Sequence, residues 1–517
     1  MTGPFYPGAY VAETPDKPAV VMAGSGEQLT FGQLDATAHG IALALRELGL
    51  QPQDHVTVWM ENRLEFLQVS WGTHYAGLNY TFLSTRLTPD EAAYIVSDSG
   101  ARVLIVSAGL DAERVAQTRD LVGGDLKVVV VGGEHNGWPA LADLAAKHAG
   151  ERLVDPLEGS DLTYSSGTTG RPKGVLRPFT GQPLGTTLVP GRMGKAFLGM
   201  GPDTVYLSPA PMYHTAPLRW CMDVIGLGGT VVVMEKFDAE AVLSSVEKYQ
   251  VTHAQFVPTM FTRLLRLPDD VRSRYDLSSL KAAVHAAAPC PRPVKAAMLD
   301  WWGPIVHEYY GGTEGAGLCW VTPQEWLTRP GTVGRAVLGR VEIVGPEGEV
   351  LGPNEDGLVY FAEGNTFRYH NDPDKTAQAV RSDGASTMGD IGHLDEDGYL
   401  FLTDRASNMI ITGGVNVYPQ EAENLLATHP KVADVAVIGV PNPDFGEEVK
   451  AVVQLAPDAE PSAEVAQELI AFCRASLADV KCPRSVDFRP ELPREPTGKL
   501  LKRLIRDEYW AGADARI

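Results

Sequence analysis

The sequence predicts an α/β protein with mainly parallel, covered sheets, and three observations predict it. Apolar runs such as Val56-Thr57-Val58-Trp59, 103–106 and 128–131 are closed by turn residues and alternate with helical periodicity, as over 63–76. Strands that read as continuous apolar runs are those buried on both faces, the mark of a parallel sheet between helices. Thirdly, at 517 residues the chain is too long for one core. The alternation gives way between 330 and 404 to short strands with frequent Gly and Pro, which predicts a small β-rich subdomain. From 405 it returns for roughly 110 residues, enough for a compact α+β domain.

Taken in order, 205–207 reads as a strand running into Pro209-Ala210-Pro211-Met212-Tyr213-His214. The run 231–233 is followed by a helix opening at Asp238, with Val242, Val246 and Tyr249 on one face. Residues 252–257, 282–285 and 305–310 supply three more strands. In the last part, 419–428 and 464–477 read as helices, and 435–440 and 449–455 as strands.

The totals exclude several partners. A hydrophobic content of 44% and a charged content of 21% are those of a globular protein. The formal net charge of −21 argues against nucleic acid and anionic membrane surfaces. Cys221, Cys290, Cys319, Cys473 and Cys482 form no C-x-x-C pair and read as free thiols of a reducing compartment. The first residues have neither a basic n-region nor an apolar h-region, and no apolar run approaches the ~18 residues of a membrane span. A soluble, cytoplasmic protein is expected, with self-association left open.

The richest stretch is Thr163-Tyr164-Ser165-Ser166-Gly167-Thr168-Thr169-Gly170-Arg171-Pro172-Lys173-Gly174. Its glycines let the backbone approach a ligand, and hydroxyls and freed N–H groups can converge into an anion cradle. Lys173 adds a point charge and Arg171 a fork of donors. A Gly/Ser/Thr cluster is usually a surface turn; this density ending in Lys-Gly points instead to phosphate. It is not the NTPase P-loop, because Pro172 stands where the second glycine belongs and Gly174 where the Ser/Thr belongs.

Three further clusters are each unremarkable alone. Tyr309-Tyr310-Gly311-Gly312-Thr313-Glu314 follows a strand, offering a stacking face, then a hydroxyl and a carboxylate suited to a hard cation. Asp390 and Asp404-Arg405 could hold a ribose, or be solvated turn residues. Lys499 in Pro493-Arg494-Glu495-Pro496-Thr497-Gly498-Lys499 could equally be a surface lysine.

Together, in this order and spacing, they resemble the adenylate-forming superfamily of acyl-CoA synthetases, carrier-protein adenylation domains and luciferase, over essentially the whole chain. The resemblance is strongest to the acyl-CoA synthetase branch. It implies a large N-terminal domain of several subdomains, 1–404, and a small mobile C-terminal domain, 405–517. It implies that Ser165, Ser166, Gly167, Thr168, Thr169, Gly170 and Lys173 cradle the phosphates of ATP. Tyr310, beside Tyr309 and Gly311, would stack on adenine, with Ala287, Ala288 and Pro289 as the other wall. Thr313 would contact phosphate, Glu314 hold Mg²⁺, and Asp390 and Arg405 take the ribose. Lys499 would bridge carboxylate and α-phosphate. His214 would line the acyl pocket or gate the thiol tunnel, and Gly413 and Gly414 would approach pantetheine. Two positions depart from the family: the hinge is Ser407 rather than Asp or Lys, and position 411 is Ile411 rather than lysine.

The implied activity is ATP-dependent conversion of a carboxylic acid, fatty or otherwise bulky and apolar, to acyl-AMP, then transfer to CoA. No basic residue obviously awaits a second carboxylate; 224–229 and 257–260 could wall the pocket or simply be core. The alternatives are a stand-alone adenylation enzyme loading a carrier protein and a nucleotide-binding regulator on a retired enzyme fold. Intact Glu314 and Lys499 speak against the last. For the phosphates of CoA the sequence offers Lys450, Arg474, Lys481 and Arg484.

Overall fold

The computed structural model describes residues 5–165, 172–185, 189–494 and 500–511. Its contacts divide the chain into two units. The first comprises Met1–Phe256, Arg266–Val284 and Thr366–Thr376; the second comprises Val257–Leu265, His285–Asn365 and Ala377–Ile517. The chain is a mixed α/β protein, with parallel and mixed sheets in its large N-terminal part and a smaller C-terminal α+β part.

In the first unit a five-stranded sheet runs in the order Lys127–Val131, Ala101–Ser107, His55–Trp59, Asn79–Leu83, Ser160–Asp161. Every neighbouring pair is parallel, as the apolar runs predict. Its crossover helices are punctuated by the chain itself. Thr88 and Glu91 close a capping box ahead of Pro89–Ser99, with Pro at its first turn, and Gly100 ends it in the left-handed conformation at φ 68°. Elsewhere in this unit, Val205–Ser208 lies parallel between Thr230–Val233 and His253–Phe256, and Pro18–Met22 extends that sheet beyond Thr230–Val233. Asp238 caps Ala239–Tyr249, burying Val242 and Val246 as the periodicity requires. Helix Phe31–Glu47 packs against Leu64–Tyr75 where Gly72 meets Ile41; a Cβ at Gly72 would sit 2.6 Å from the Ile41 Cβ.

In the second unit, Val306–Tyr310, Leu318–Val321, Thr332–Leu338, Leu400–Arg405, Ser386–Leu394, Gly357–Ala362 and Arg340–Val344 form an antiparallel succession. This is the β-rich texture read between 330 and 404. The C-terminal part is centred on the long hairpin Val432–Asn442 and Gly446–Leu455. Asn442 Oδ1 accepts from the N–H groups of Asp444 and Phe445, and Gly446 takes φ 77° to close the turn. Helices Gln420–Leu426 and Ala463–Arg474 supply Leu426, Leu469 and Cys473 to one core face of this hairpin. Helix Lys502–Trp510 supplies Ile505 to the other. Among the described residues, no helix is long and apolar enough to cross a membrane.

Candidate active site

The glycine-rich stretch is held at its base. Thr163–Ser165 pairs antiparallel with Lys173–Leu176, which pairs in turn with Arg368–Tyr369. Tyr164 donates to Asp98 Oδ2 at 2.6 Å, Tyr94 donates to the Pro172 carbonyl at 3.2 Å, and His370 N–H to the Gly174 carbonyl at 2.7 Å. The Lys173 ammonium lies 5.0 Å from the Tyr369 ring centroid. Ser166, Gly167, Thr168, Thr169 and Gly170, and the side chain of Ser165, fall outside the described residues, as does Lys499. Asp98, Tyr94 and His370 were not visible in the sequence, because their partners lie tens to hundreds of residues away in the chain.

The second unit brings together Tyr310, Asp390, Arg405 and Glu314. The Tyr310 hydroxyl donates to Asp390 Oδ2 at 2.6 Å, and Arg405 Nε lies 3.0 Å from Asp390 Oδ1. The register of Ser386–Leu394 against Leu400–Arg405 sets Asp390 directly opposite Arg405. Burial and the Asp390 charge push the Tyr310 phenol well above its ordinary value, so it stays a donor. Burial opposes the Arg405 charge, but Asp390, Tyr310 and Glu314 outweigh it and raise the guanidinium. Tyr310 stacks on Phe361 and Tyr309 on Trp320, with centroids 6.1 and 6.2 Å apart. A Cβ at Gly312 would meet the Met388 thioether and Glu314 Oε2, so a side chain there would displace both; Thr313 is half-buried.

Ala287 is exposed and held at φ 75°, a conformation costly for a residue with a Cβ; Ala288 and Pro289 follow it on the half-exposed to exposed side. Behind this segment lies a charged set that the sequence did not reveal. Lys295 is 1% exposed, with its Nζ 2.5 Å from Glu308 Oε2, and the buried His285 Nε2 is 3.4 Å from the same oxygen. Burial alone would raise Glu308, but His285 and Lys295 outweigh it and hold the carboxyl down at about 2.

His214 precedes helix Thr215–Gly226, its ring 4.7 Å from that of Tyr213. Burial lowers it to about 4, so it is a neutral imidazole near pH 7. Of the segments that could wall a pocket or be core, Val224, Ile225, Val257 and Met260 are buried. Helix Thr215–Gly226 also carries Arg219, paired with Asp161 at 2.6 Å. Gly413 and Gly414 form a left-handed turn between Ile410–Thr412 and Val415–Val417, at φ 56° and 79°. Of the four cations offered for CoA, three have acidic partners: Lys450 with Asp487, Arg474 with Asp479, and Lys481 with Glu421. Arg484 instead stacks on exposed Phe445 at 4.4 Å.

The AMP-binding enzyme family matches residues 9–369, and the AMP-binding enzyme C-terminal domain matches 421–499. The chain belongs to the AMP-binding, adenylate-forming enzymes. Within them it is an AMP-forming acid–CoA ligase, which activates a carboxylic acid to an acyl-AMP and passes the acyl group to CoA. It is 35% identical to the 3-[(3aS,4S,7aS)-7a-methyl-1,5-dioxo-octahydro-1H-inden-4-yl]propanoyl:CoA ligase of Rhodococcus jostii, over 94% of this chain and 95% of that one. It is 34% identical to a feruloyl-CoA synthase of an Amycolatopsis species, over 95% and 96%. Among solved structures it is similar to the o-succinylbenzoate CoA synthetase of Bacillus subtilis in complex with an acyl-adenylate, with TM-score 0.80, 25% identity and 98% of each chain covered.

Proposed function

We propose that this ligase acts on a bulky, largely apolar monocarboxylic acid, with residues 1–404 binding ATP and acid and 405–517 forming the mobile domain. The observation that carries the nucleotide half is the Tyr310–Asp390–Arg405 set. Tyr310 and Arg405 each occupy one oxygen of Asp390, which orients the carboxylate with remaining lone pairs for the ribose hydroxyls. Tyr310, Ala287, Ala288 and Pro289 then take adenine, and Ser165 to Lys173 the phosphates. The names of the two relatives, one a fused-ring propanoyl ligase and one a feruloyl synthase, support a bulky acyl group.

The chemistry follows from charge. A carboxylate oxygen attacks the α-phosphorus of ATP, and pyrophosphate leaves. An anion approaches a polyanion, so the protein's work is positioning and neutralisation. Lys499 supplies positive charge where negative charge develops at the α-phosphate, and Thr313 steadies phosphate oxygens. Glu314 stands beside Gly312 at this turn and its charge acts on Arg405, and among the described residues no group of three or more His, Cys, Asp or Glu side chains gathers to hold a metal. One carboxylate suits a Mg²⁺ ion brought in with ATP: Glu314 would hold it, and it would supply charge neutralisation. The CoA thiol then attacks the acyl carbon and AMP leaves. His214, neutral, lines the path of acyl group or thiol, while Gly413 and Gly414 admit pantetheine. Arg484, stacked on exposed Phe445 while the other three cations pair with carboxylates, is our assignment for CoA's nucleotide end.

Pyrophosphate release across a panel of acids, with CoA, with free pantetheine and with neither, tests this reading. Bulky apolar acids should give the fastest release, and CoA should saturate with a KM of ~1 μM–1 mM. Pantetheine, lacking the phosphates, should react much more slowly. Equal use of both thiols would favour the carrier-protein reading, and preference for small polar acids would overturn the substrate class.

A further inference from the structure

We propose that Glu423, Lys502, Asp434 and Arg494 are positioning residues that fix the chain on either side of Lys499. They would thereby serve the adenylation half-reaction selectively. The inference rests on the reading of Lys499 as the adenylation lysine.

Glu423 lies on helix Gln420–Leu426 and is only 6% exposed. Its Oε1 accepts from the Val437 N–H at 2.6 Å and lies 2.7 Å from Lys502 Nζ, whose side chain is 14% exposed. Lys502 opens helix Lys502–Trp510, three residues after Lys499. Burial raises the Glu423 carboxyl, and Lys502 and the Val437 N–H act against that. On the other side, Arg494 makes a two-pronged contact with Asp434, Nε to Oδ2 at 2.6 Å and Nη2 to Oδ1 at 2.5 Å. Such forks fix direction as well as distance. The two sides are tied to each other by an antiparallel bridge between Arg494 and Leu500 and by Leu501 N–H donating to the Pro493 carbonyl at 2.9 Å. Leu492 and Ile505 anchor the same two sides in one apolar cluster with Ala436, Ile438 and Val440. Asp434 and Val437 belong to the same strand, Val432–Asn442, so both ion pairs refer the lysine's flanks to one rigid element.

A fold that needed only to close this segment could use the apolar cluster alone. Two buried or half-buried ion pairs, at Arg494 and Lys502 on either side of seven residues, add orientation, which matters when a single ammonium must meet a developing charge. Lys499 takes no part once the adenylate exists. Loss of its placement should therefore show in one half-reaction and not in the other.

The test measures acyl-AMP formation from ATP and acid, and thioester formation from supplied acyl-AMP and CoA, in the full-length protein. Glu423→Gln and Lys502→Met should each slow the first step about 10²-fold, the scale of a misplaced catalytic group, and leave the second within about 3-fold. Lys502→Arg should restore most of the first step. Arg494→Lys, at a more exposed position that should tolerate change, gives the same readout if the buried variants do not fold. Folded variants that lose both half-reactions equally, or neither, overturn the inference. Lys499→Ala run alongside separates the causes. If it is selective and the bracketing variants are not, only this inference falls; if Lys499→Ala is itself unselective, the reading of Lys499 falls and takes this one with it.

Discussion

Asp390 shows how far a residue's role depends on neighbours distant in sequence. Tyr310 could be singled out as an aromatic at a strand end, and Asp390 as a carboxylate able to hold a ribose. That the tyrosine hydroxyl orients the aspartate across 80 residues of chain could not be read, since no local pattern encodes it. Buried charges such as Lys295 and Glu308 were missed for the same reason: each looks like an ordinary surface residue until its partner is known. The buried histidines carry a prediction. Burial lowers His74 to about 4, against about 6.5 in the unfolded chain, with Asp161 opposing the shift. Between those values the unfolded chain takes up a proton that the folded chain refuses, so stability falls as pH drops. From pH 7 to pH 5 this one group should cost about 2 kcal/mol, and His214 acts in the same direction. Urea unfolding of wild type and His74→Gln at both pH values checks it. The variant should lose less stability on acidification; parallel losses would show that His74 is not held neutral.

At the scale of elements, apolar runs located the central parallel strands and several of the helices, because burial on both faces leaves an unbroken apolar signature. The Asp238 cap and the helix after it stand where the periodicity set them. Short devices left no such trace. The departure at Ser407 lies in a single 3-10 turn, Ala406–Asn408, where Asp404 accepts from both Asn408 Nδ2 and the Gln420 N–H at 3.0 and 2.8 Å. Ser407 is exposed. Proline at 407 would fix its own φ and push Ala406 out of the helical region. Ser407→Pro should therefore restrict domain rotation and slow thioester formation by about 10-fold or more while adenylation changes little. Single-turnover rates for the two steps decide it, and equal slowing would mean that the pivot lies elsewhere.

For the whole molecule, the −21 formal charge sets the terms on which polyanions are bound. ATP and CoA approach a repelling field, so each must be met by a local constellation. For the nucleotide the sequence offers motifs; for CoA it offers only four like cations, three of which the structure pairs with carboxylates. In the reaction proposed for this ligase the acid's own oxygen becomes joined to the α-phosphorus and leaves with AMP. Acid labelled with ¹⁸O at both carboxylate oxygens checks this, by mass spectrometry of the products after turnover with ATP and CoA. One labelled oxygen should appear in AMP and the other remain in the thioester carbonyl. Unlabelled AMP, or label recovered in pyrophosphate, would rule out attack of the carboxylate on the α-phosphorus.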